Sequence, residues 1–254
     1  MSVSFETLSH RAEAHEEEMS RQLDELVIIK SKLYQSGEID PAEEQPRPSR
    51  EATQGKTYLM APDPRLRPMP QAPTLIDFFR HRFGPSQHLV QSANLALKNG
   101  LDEKVVLACL LHDIAVFGLI RADHGYWGAQ LIEPYVDEEV AWAVRAHQAL
   151  RFYPDESVGY EYPEVYLRMF GADYVPDPYI DRDYQEARKH RWYMTARLIT
   201  LNDLYAFDPD VEVDIQQFED IIGRHFKQPK EGLGMDNTPA SHMWRTIIAP
   251  TKFL

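Results

Sequence analysis

Residues 105–118, VVLACLLHDIAVFG, form an almost wholly apolar run broken by one ionisable pair, His112 and Asp113. A run of this composition reads as a buried helix, and an ionised carboxylate inside it must be compensated by a hydrogen-bonded partner or a cation. The run is too short, and too interrupted by ionisable groups, to cross a membrane. Elsewhere the chain carries side chains that could compensate Asp113: His88, His124, His147 and Asp203. A lone histidine is more often a surface or hydrogen-bonded core residue than a ligand. What matters is whether these residues converge.

With 254 residues, 43% of them hydrophobic, the chain can form one sizeable globular core plus an appendage. A net charge of −13 argues against a nucleic-acid or anionic-membrane partner, because neutralising phosphates requires clustered Lys and Arg. The single cysteine, Cys109, lies within the apolar run and excludes an intramolecular disulfide framework. Residues 1–20 lack the basic start and apolar stretch of a secretory signal. A reduced, cytoplasmic setting is therefore the expectation.

Three regions follow from the composition along the chain. Residues 1–35 read as a charged helical arm whose narrow apolar seam includes Leu23, Val27 and Ile28. The apolar positions are too few for a convincing coiled coil, which leaves a locally packed arm or a homodimer contact. Residues 36–73 are rich in Pro and Glu and read as a flexible linker ending in an extended, proline-punctuated stretch. The compact domain is expected over residues 74–254.

Within that domain a short amphipathic helix at 74–83 is followed by Gly84-Pro85-Ser86, with Ser86 as N-cap of a helix that stops at Asn99-Gly100. His88 sits in the first turn of that helix. Asp102 caps a central helix running to about Val116. Asp123-His124 opens another, and Asp137 caps a helix from Glu138 to about Leu150. On the latter, Val140, Val144, His147 and Arg151 follow one helical stripe, which places Arg151 one turn beyond His147. An arginine there is either a salt-bridge partner or an anion clamp. Residues 152–180, rich in Tyr and Pro, read as a partly helical lid. A long helix is expected from about 181 to 207, with Asp203 on its inward stripe, and another over 214–226. His242, in a Gly- and Pro-punctuated C-terminal segment, reads as incidental. No repeat and no strand-rich region is present, so the domain is expected to be all-α.

The ligand types fall in the order H…HD…H…H…D, and this order resembles the HD-domain superfamily of metal-dependent enzymes over roughly residues 78–207. The resemblance implies a helical bundle holding one or two ions. The additional pair His124 and His147 is similar to the dinuclear branch. By that resemblance one ion would be held by His88, His112, Asp113 and Asp203, and the other by His124, His147 and the shared Asp113. Imidazole and carboxylate ligands without thiolate suit iron, manganese, zinc and other first-row metals.

Two chemistries compete within that branch. One is hydrolysis of a phosphate mono- or diester. The other is oxygenation at an Fe(II)/Fe(III) centre, as in the HD-type oxygenases of the myo-inositol and organophosphonate-degrading kind, with O2 and a small phosphonate or carboxylate as substrates. The segments HQALRFY, Met169-Phe170-Gly171 and HRWYMTARLITLNDL resemble the phosphonate-oxygenase group, where a basic residue follows a histidine ligand by one turn. Arg151 fills that position here and would bind the substrate anion, while Asp113 would be the central catalytic carboxylate. This chain departs from the group at Val116, where a further histidine is expected, and at Phe78 and His81, which stand where a Tyr and a Glu are expected. Phosphohydrolases often carry a Lys or another polar group after the HD pair, where this chain has Ile114, Ala115 and Val116. The third alternative is a non-catalytic HD-like binding protein.

Overall fold

A computed structural model describes residues 11, 12, 14–16, 18, 66–118 and 121–250. The described domain is helical, and among the described residues no strand forms and one bridge joins Asp155 and Tyr160. In chain order its helices are α1 (Leu75–His81), α2 (Gln87–Lys98), α3 (Glu103–Leu111), α4 (Ile114–Gly118), α5 (His124–Ile132) and α6 (Glu138–Leu150). There follow α7 (Glu164–Phe170), α8 (Pro178–Ala187), α9 (Tyr193–Leu204), α10 (Glu219–His225) and α11 (Ser241–Ile248). Short 3-10 turns occupy Glu156–Val158 and Ile215–Phe218. No described helix is long and apolar enough to cross a membrane.

The apolar run becomes α3, in which every residue from Val105 to Leu111 is buried. Helices α2, α6 and α9 surround it. A helix buried on all sides carries no amphipathic stripe, and burial is its main support, each Leu or Val contributing about 1.5–3 kcal/mol. Its start is capped as expected, since the Asp102 side chain accepts from Lys104 N at 2.8 Å. Asp137 likewise accepts from Val140 N at 3.0 Å at the start of α6. Ser86 occupies the N-cap position of α2, but its side chain makes no capping bond.

Two expected long helices are broken, each at a place the chemistry explains. The central helix ends at Leu111, and His112 and Asp113 form a turn before α4. His112 Nδ1 donates to Cys109 O at 2.6 Å, taking up a carbonyl that a continuous helix would offer to the Asp113 amide. The helix expected from 181 to 207 is two, α8 and α9, parted at residues 188–192. There the sequence Arg-Lys-His-Arg places four basic residues in a row. The His190 ring accepts from Trp192 N at 3.3 Å and stacks on Trp142 at 3.9 Å, so local side-chain bonding replaces the helical ladder.

The C-terminal segment contributes more than its punctuation suggests. Helix α11 buries Trp244 completely, edge-on to Phe78 at 4.6 Å, with its indole N–H donated to Leu131 O at 3.0 Å. Arg82 caps the end of α11 by donating to Ile247 O and Ile248 O at 3.1 Å each. His242 pairs with Arg245 on the exposed side, away from the histidine cluster. Of the N-terminal arm, the described residues 11, 12, 14–16 and 18 are helical. The rest of the arm and residues 36–65 of the expected linker lie outside the described residues.

Helices α5 and α6 approach closely at Gly125, where an added Cβ would meet Arg145 O at 2.9 Å and Val144 O at 3.1 Å. This contact sets the spacing between His124 on α5 and His147 on α6. Gly125→Ala is expected to push the helices apart and to destabilise the protein by about 1–3 kcal/mol, as overpacking does. Metal titration of the variant should show weakened uptake at the His124–His147 side with the His88–His112 side retained.

Candidate metal centre

The six residues singled out from the sequence meet in one place. His88 comes from the first turn of α2, His112 and Asp113 from the turn after α3, His124 from the first residue of α5, His147 from the last turn of α6 and Asp203 from the end of α9. All are buried except His124, which is 15% exposed at its side chain. His88 Nε2 lies 2.9 Å from Asp203 Oδ1, 3.2 Å from His112 Nε2 and 3.7 Å from Asp113 Oδ2. On the other side, Asp113 Oδ1 lies 3.2 Å from His124 Nε2 and 3.4 Å from His147 Nε2, and these two nitrogens are 3.2 Å apart. Asp113 thus turns one carboxylate oxygen to each pair of imidazoles.

The rings are aimed by their other nitrogens. His88 Nδ1 donates to Ala206 O at 3.2 Å, His112 Nδ1 to Cys109 O, His124 Nδ1 to Arg121 O at 3.1 Å and His147 Nδ1 to Val144 O at 2.6 Å. A carbonyl can only accept, so each Nδ1 carries the proton and each Nε2 of a neutral ring presents a lone pair. Lone pairs facing one another at 3.2 Å repel unless a proton or a metal ion stands between them. Ligand atoms held about 2.1 Å from one first-row ion at roughly 90–110° stand about 3.0–3.4 Å apart, which matches these separations. Asp113 Oδ1 and Asp203 Oδ1 are buried without hydrogen-bond partners, as carboxylate oxygens facing a metal would be. Two overlapping triads, His88–His112–Asp113 and Asp113–His124–His147, can therefore hold two metal ions.

Electrostatics agree with this geometry. Burial opposes ionisation of Asp113 and Asp203, but the histidines around Asp113, and Arg151 with His112 and His88 around Asp203, hold both well below the usual carboxylate range. Burial also opposes a charge on His112, yet Asp113 and Asp203 outweigh it and raise the ring to about 9, so a metal ion would bind there by replacing a proton. Burial carries His124 down to about 4, assisted by His147 and Arg151 and only partly offset by Asp113. Cys109 takes no part, its buried thiol being pushed up to about 12.

Arg151 is buried at the wall of the cluster, with Nη1 3.1 Å from Asp203 Oδ2 in an ion pair that lacks hydrogen-bond alignment. Its guanidinium lies over the Tyr166 ring at 4.9 Å, and its carbonyl accepts from Tyr160 OH at 2.9 Å. The lid tyrosines divide accordingly. Tyr160 and Tyr166 are buried against Arg151, whereas Tyr174 is 40% exposed and Tyr179 OH reaches out to Asp123 at 2.7 Å. Phe78 packs in the Trp244 cluster rather than at the centre.

Several contributors are not evident from the sequence pattern. Arg197 is fully buried, donates from Nη1 to Leu150 O at 3.0 Å and lies 4.9 Å over the Tyr160 ring. It thereby satisfies a carbonyl at the end of α6 and helps to fix Arg151. The loop after α9 is tied to α2 by Gln91, whose amide donates to Asp208 O at 2.8 Å and accepts from Asp208 N at 2.8 Å. Phe207 in that loop stacks on His88 at 4.1 Å. The helical spacing of Tyr193, Arg197 and Thr200 was the one available hint, an arginine on an otherwise inward stripe.

Comparison with known proteins bears on the same region. Residues 86–169 match the HD domain family model. A stretch of 78 residues is 31% identical to [1-hydroxy-2-(trimethylamino)ethyl]phosphonate dioxygenase (glycine-betaine-forming) of Leisingera caerulea, covering 27% of this chain and 40% of that protein. The chain thus spans less than half the length of the curated relative it matches. Residues 86–169 thus match the HD domain, and the two buried His/Asp triads, all five of whose residues fall within that stretch, could hold metal ions.

Proposed function

We propose that the protein is a dinuclear metal-dependent oxygenase, using two iron ions and O2 to oxidise a small phosphonate or carboxylate. The observation that carries this reading is the pair of triads closing on a single carboxylate, Asp113, beside a buried guanidinium, Arg151. His88, His112, Asp113 and Asp203 would hold one ion, and His124, His147 and Asp113 the other. The bound irons would supply the redox chemistry that activates O2. The chain's own groups orient and select. Four Nδ1–H bonds fix the ring directions, the lid residues Tyr160 and Tyr166 exclude water, and Arg151 supplies the positive charge for the substrate's anionic group. Local similarity to the phosphonate dioxygenase supports the oxygenase branch. The apolar residues Ile114, Ala115 and Val116 after the HD pair provide no polar group for a phosphate leaving oxygen, which weighs against a phosphohydrolase.

The test is anaerobic iron loading followed by partial reduction and low-temperature electron paramagnetic resonance. A coupled Fe(II)/Fe(III) signal, perturbed by two-carbon phosphonates that then drive O2 uptake, is the expected result. Hydrolysis of phosphate esters by iron-, manganese- or cobalt-loaded protein without O2 uptake would replace it with the phosphohydrolase reading. Binding of less than about one metal equivalent per chain would favour the non-catalytic alternative. Arg151→Ala should raise the substrate KM by about 10- to 150-fold, the range for losing a charged hydrogen bond of about 1.5–3 kcal/mol. Turnover at saturation should fall less.

A further inference from the structure

The second tine of the Arg151 fork faces a residue that the metal centre does not need. Nη1 is committed to Asp203, while Nη2 lies 3.7 Å from Glu16 Oε1 in the helical N-terminal segment. The Glu16 side chain is only 16% exposed. A second contact holds the same segment down. Arg11 pairs with Asp210 and, at 3.2 Å, with Asp208, in the loop that Gln91 ties to α2. Arg11 therefore meets the loop behind His88, and Glu16 meets the wall that carries Arg151.

A glutamate is a costly residue to place there. The centre already contains two buried carboxylates, and a third adds repulsion and desolvation. Packing alone would be served as well by a glutamine. What a glutamate side chain does match is an anionic substrate group in charge and size.

We propose that Glu16 occupies the anion seat on Arg151 as a tethered stand-in for the substrate, so that an anionic substrate enters by displacing the N-terminal segment. This rests on the reading of Arg151 as the substrate's anion clamp. The exchange conserves charge: one carboxylate leaves the guanidinium and one anionic group arrives. Entry without displacement would gather Asp203, Glu16 and the substrate around a single positive charge. Because Glu16 belongs to the same chain, it competes at an effective concentration on the order of millimolar, and weakly binding anions are screened out. Arg11 sets how firmly the stand-in is held, through contacts outside the centre.

The test is titration calorimetry of inorganic phosphate into the metal-loaded full chain, with metal content measured for each variant. Glu16→Gln should tighten phosphate by about tenfold, the gain if the seat is open roughly a tenth of the time in the native protein. Arg11→Glu, which alters no group in the centre, should give a gain of similar size, and the double variant should add little to either. Arg151→Ala should weaken phosphate binding and abolish the gain from Glu16→Gln. If neither Glu16→Gln nor Arg11→Glu tightens phosphate while Arg151→Ala still weakens it, the stand-in role is wrong and the anion clamp survives. If Arg151→Ala leaves phosphate affinity unchanged, the clamp itself is wrong and the proposal falls with it. Should Glu16→Gln lose metal, Arg11→Glu decides alone.

Discussion

Asp113→Ala is expected to lose both metal ions together, with activity falling by more than about 100-fold, beyond the 10- to 100-fold typical of removing an outer-shell partner. One oxygen of Asp113 faces His88 and His112 and the other faces His124 and His147, so this is the one side chain both triads share. Its removal also leaves four imidazoles clustered with only Asp203 to offset whatever charge they carry. His124→Ala provides the contrast. It removes one member of the Asp113–His124–His147 triad and leaves the other triad whole, so close to one equivalent should remain. Metal analysis after anaerobic loading, with thermal unfolding measured with and without metal, checks both. Two ions retained in Asp113→Ala would show that the carboxylate is not shared.

Trp244→Ala should produce the largest loss of stability, about 3–5 kcal/mol by denaturant unfolding, as for other large aromatic residues deleted from a core. The indole is completely buried among Phe78, Phe83 and Tyr135, and its N–H satisfies Leu131 O. Leu131 lies on α5, the helix that begins with His124. Deleting the indole therefore leaves a cavity and an unpaired carbonyl on the element that positions a candidate ligand, and metal uptake should weaken along with stability. Trp244→Phe fills most of the cavity and loses the hydrogen bond, so a cost of about 0.5–1.5 kcal/mol is expected for that part. A loss under about 1 kcal/mol for the Ala variant would mean that α11 does not dock as described.

The candidate centre was legible because its residues are expensive where they stand. A carboxylate in the middle of VVLACLLHDIAVFG and another on the inward stripe of α9 both demand compensation, and helical periodicity alone turns His147 towards the same interior. Capping chemistry is equally local, and Asp102 and Asp137 mark helix starts that the structure reproduces. The breaks were less legible. The His112–Asp113 turn depends on an imidazole reaching back to Cys109 O, and the gap at 188–192 depends on His190 stacking on Trp142 from another helix. Helix α11 was hidden because its eight residues gain stability only from the pocket that receives Trp244.

From the sequence by itself came the all-α class, the set of six ligand-type residues and the presence of an arginine one turn beyond His147. These depend on composition, on short-range spacing and on the cost of burying charge, all of which are properties of the chain before it folds. The tertiary structure decided which oxygen of Asp113 serves which pair of histidines, which lid tyrosines meet Arg151, and that Glu16 reaches the same guanidinium from more than a hundred residues away in the chain. Those outcomes depend on where separate helices come to rest against one another, and on close approaches such as that at Gly125. Long-range packing of this kind leaves no periodic trace in the sequence.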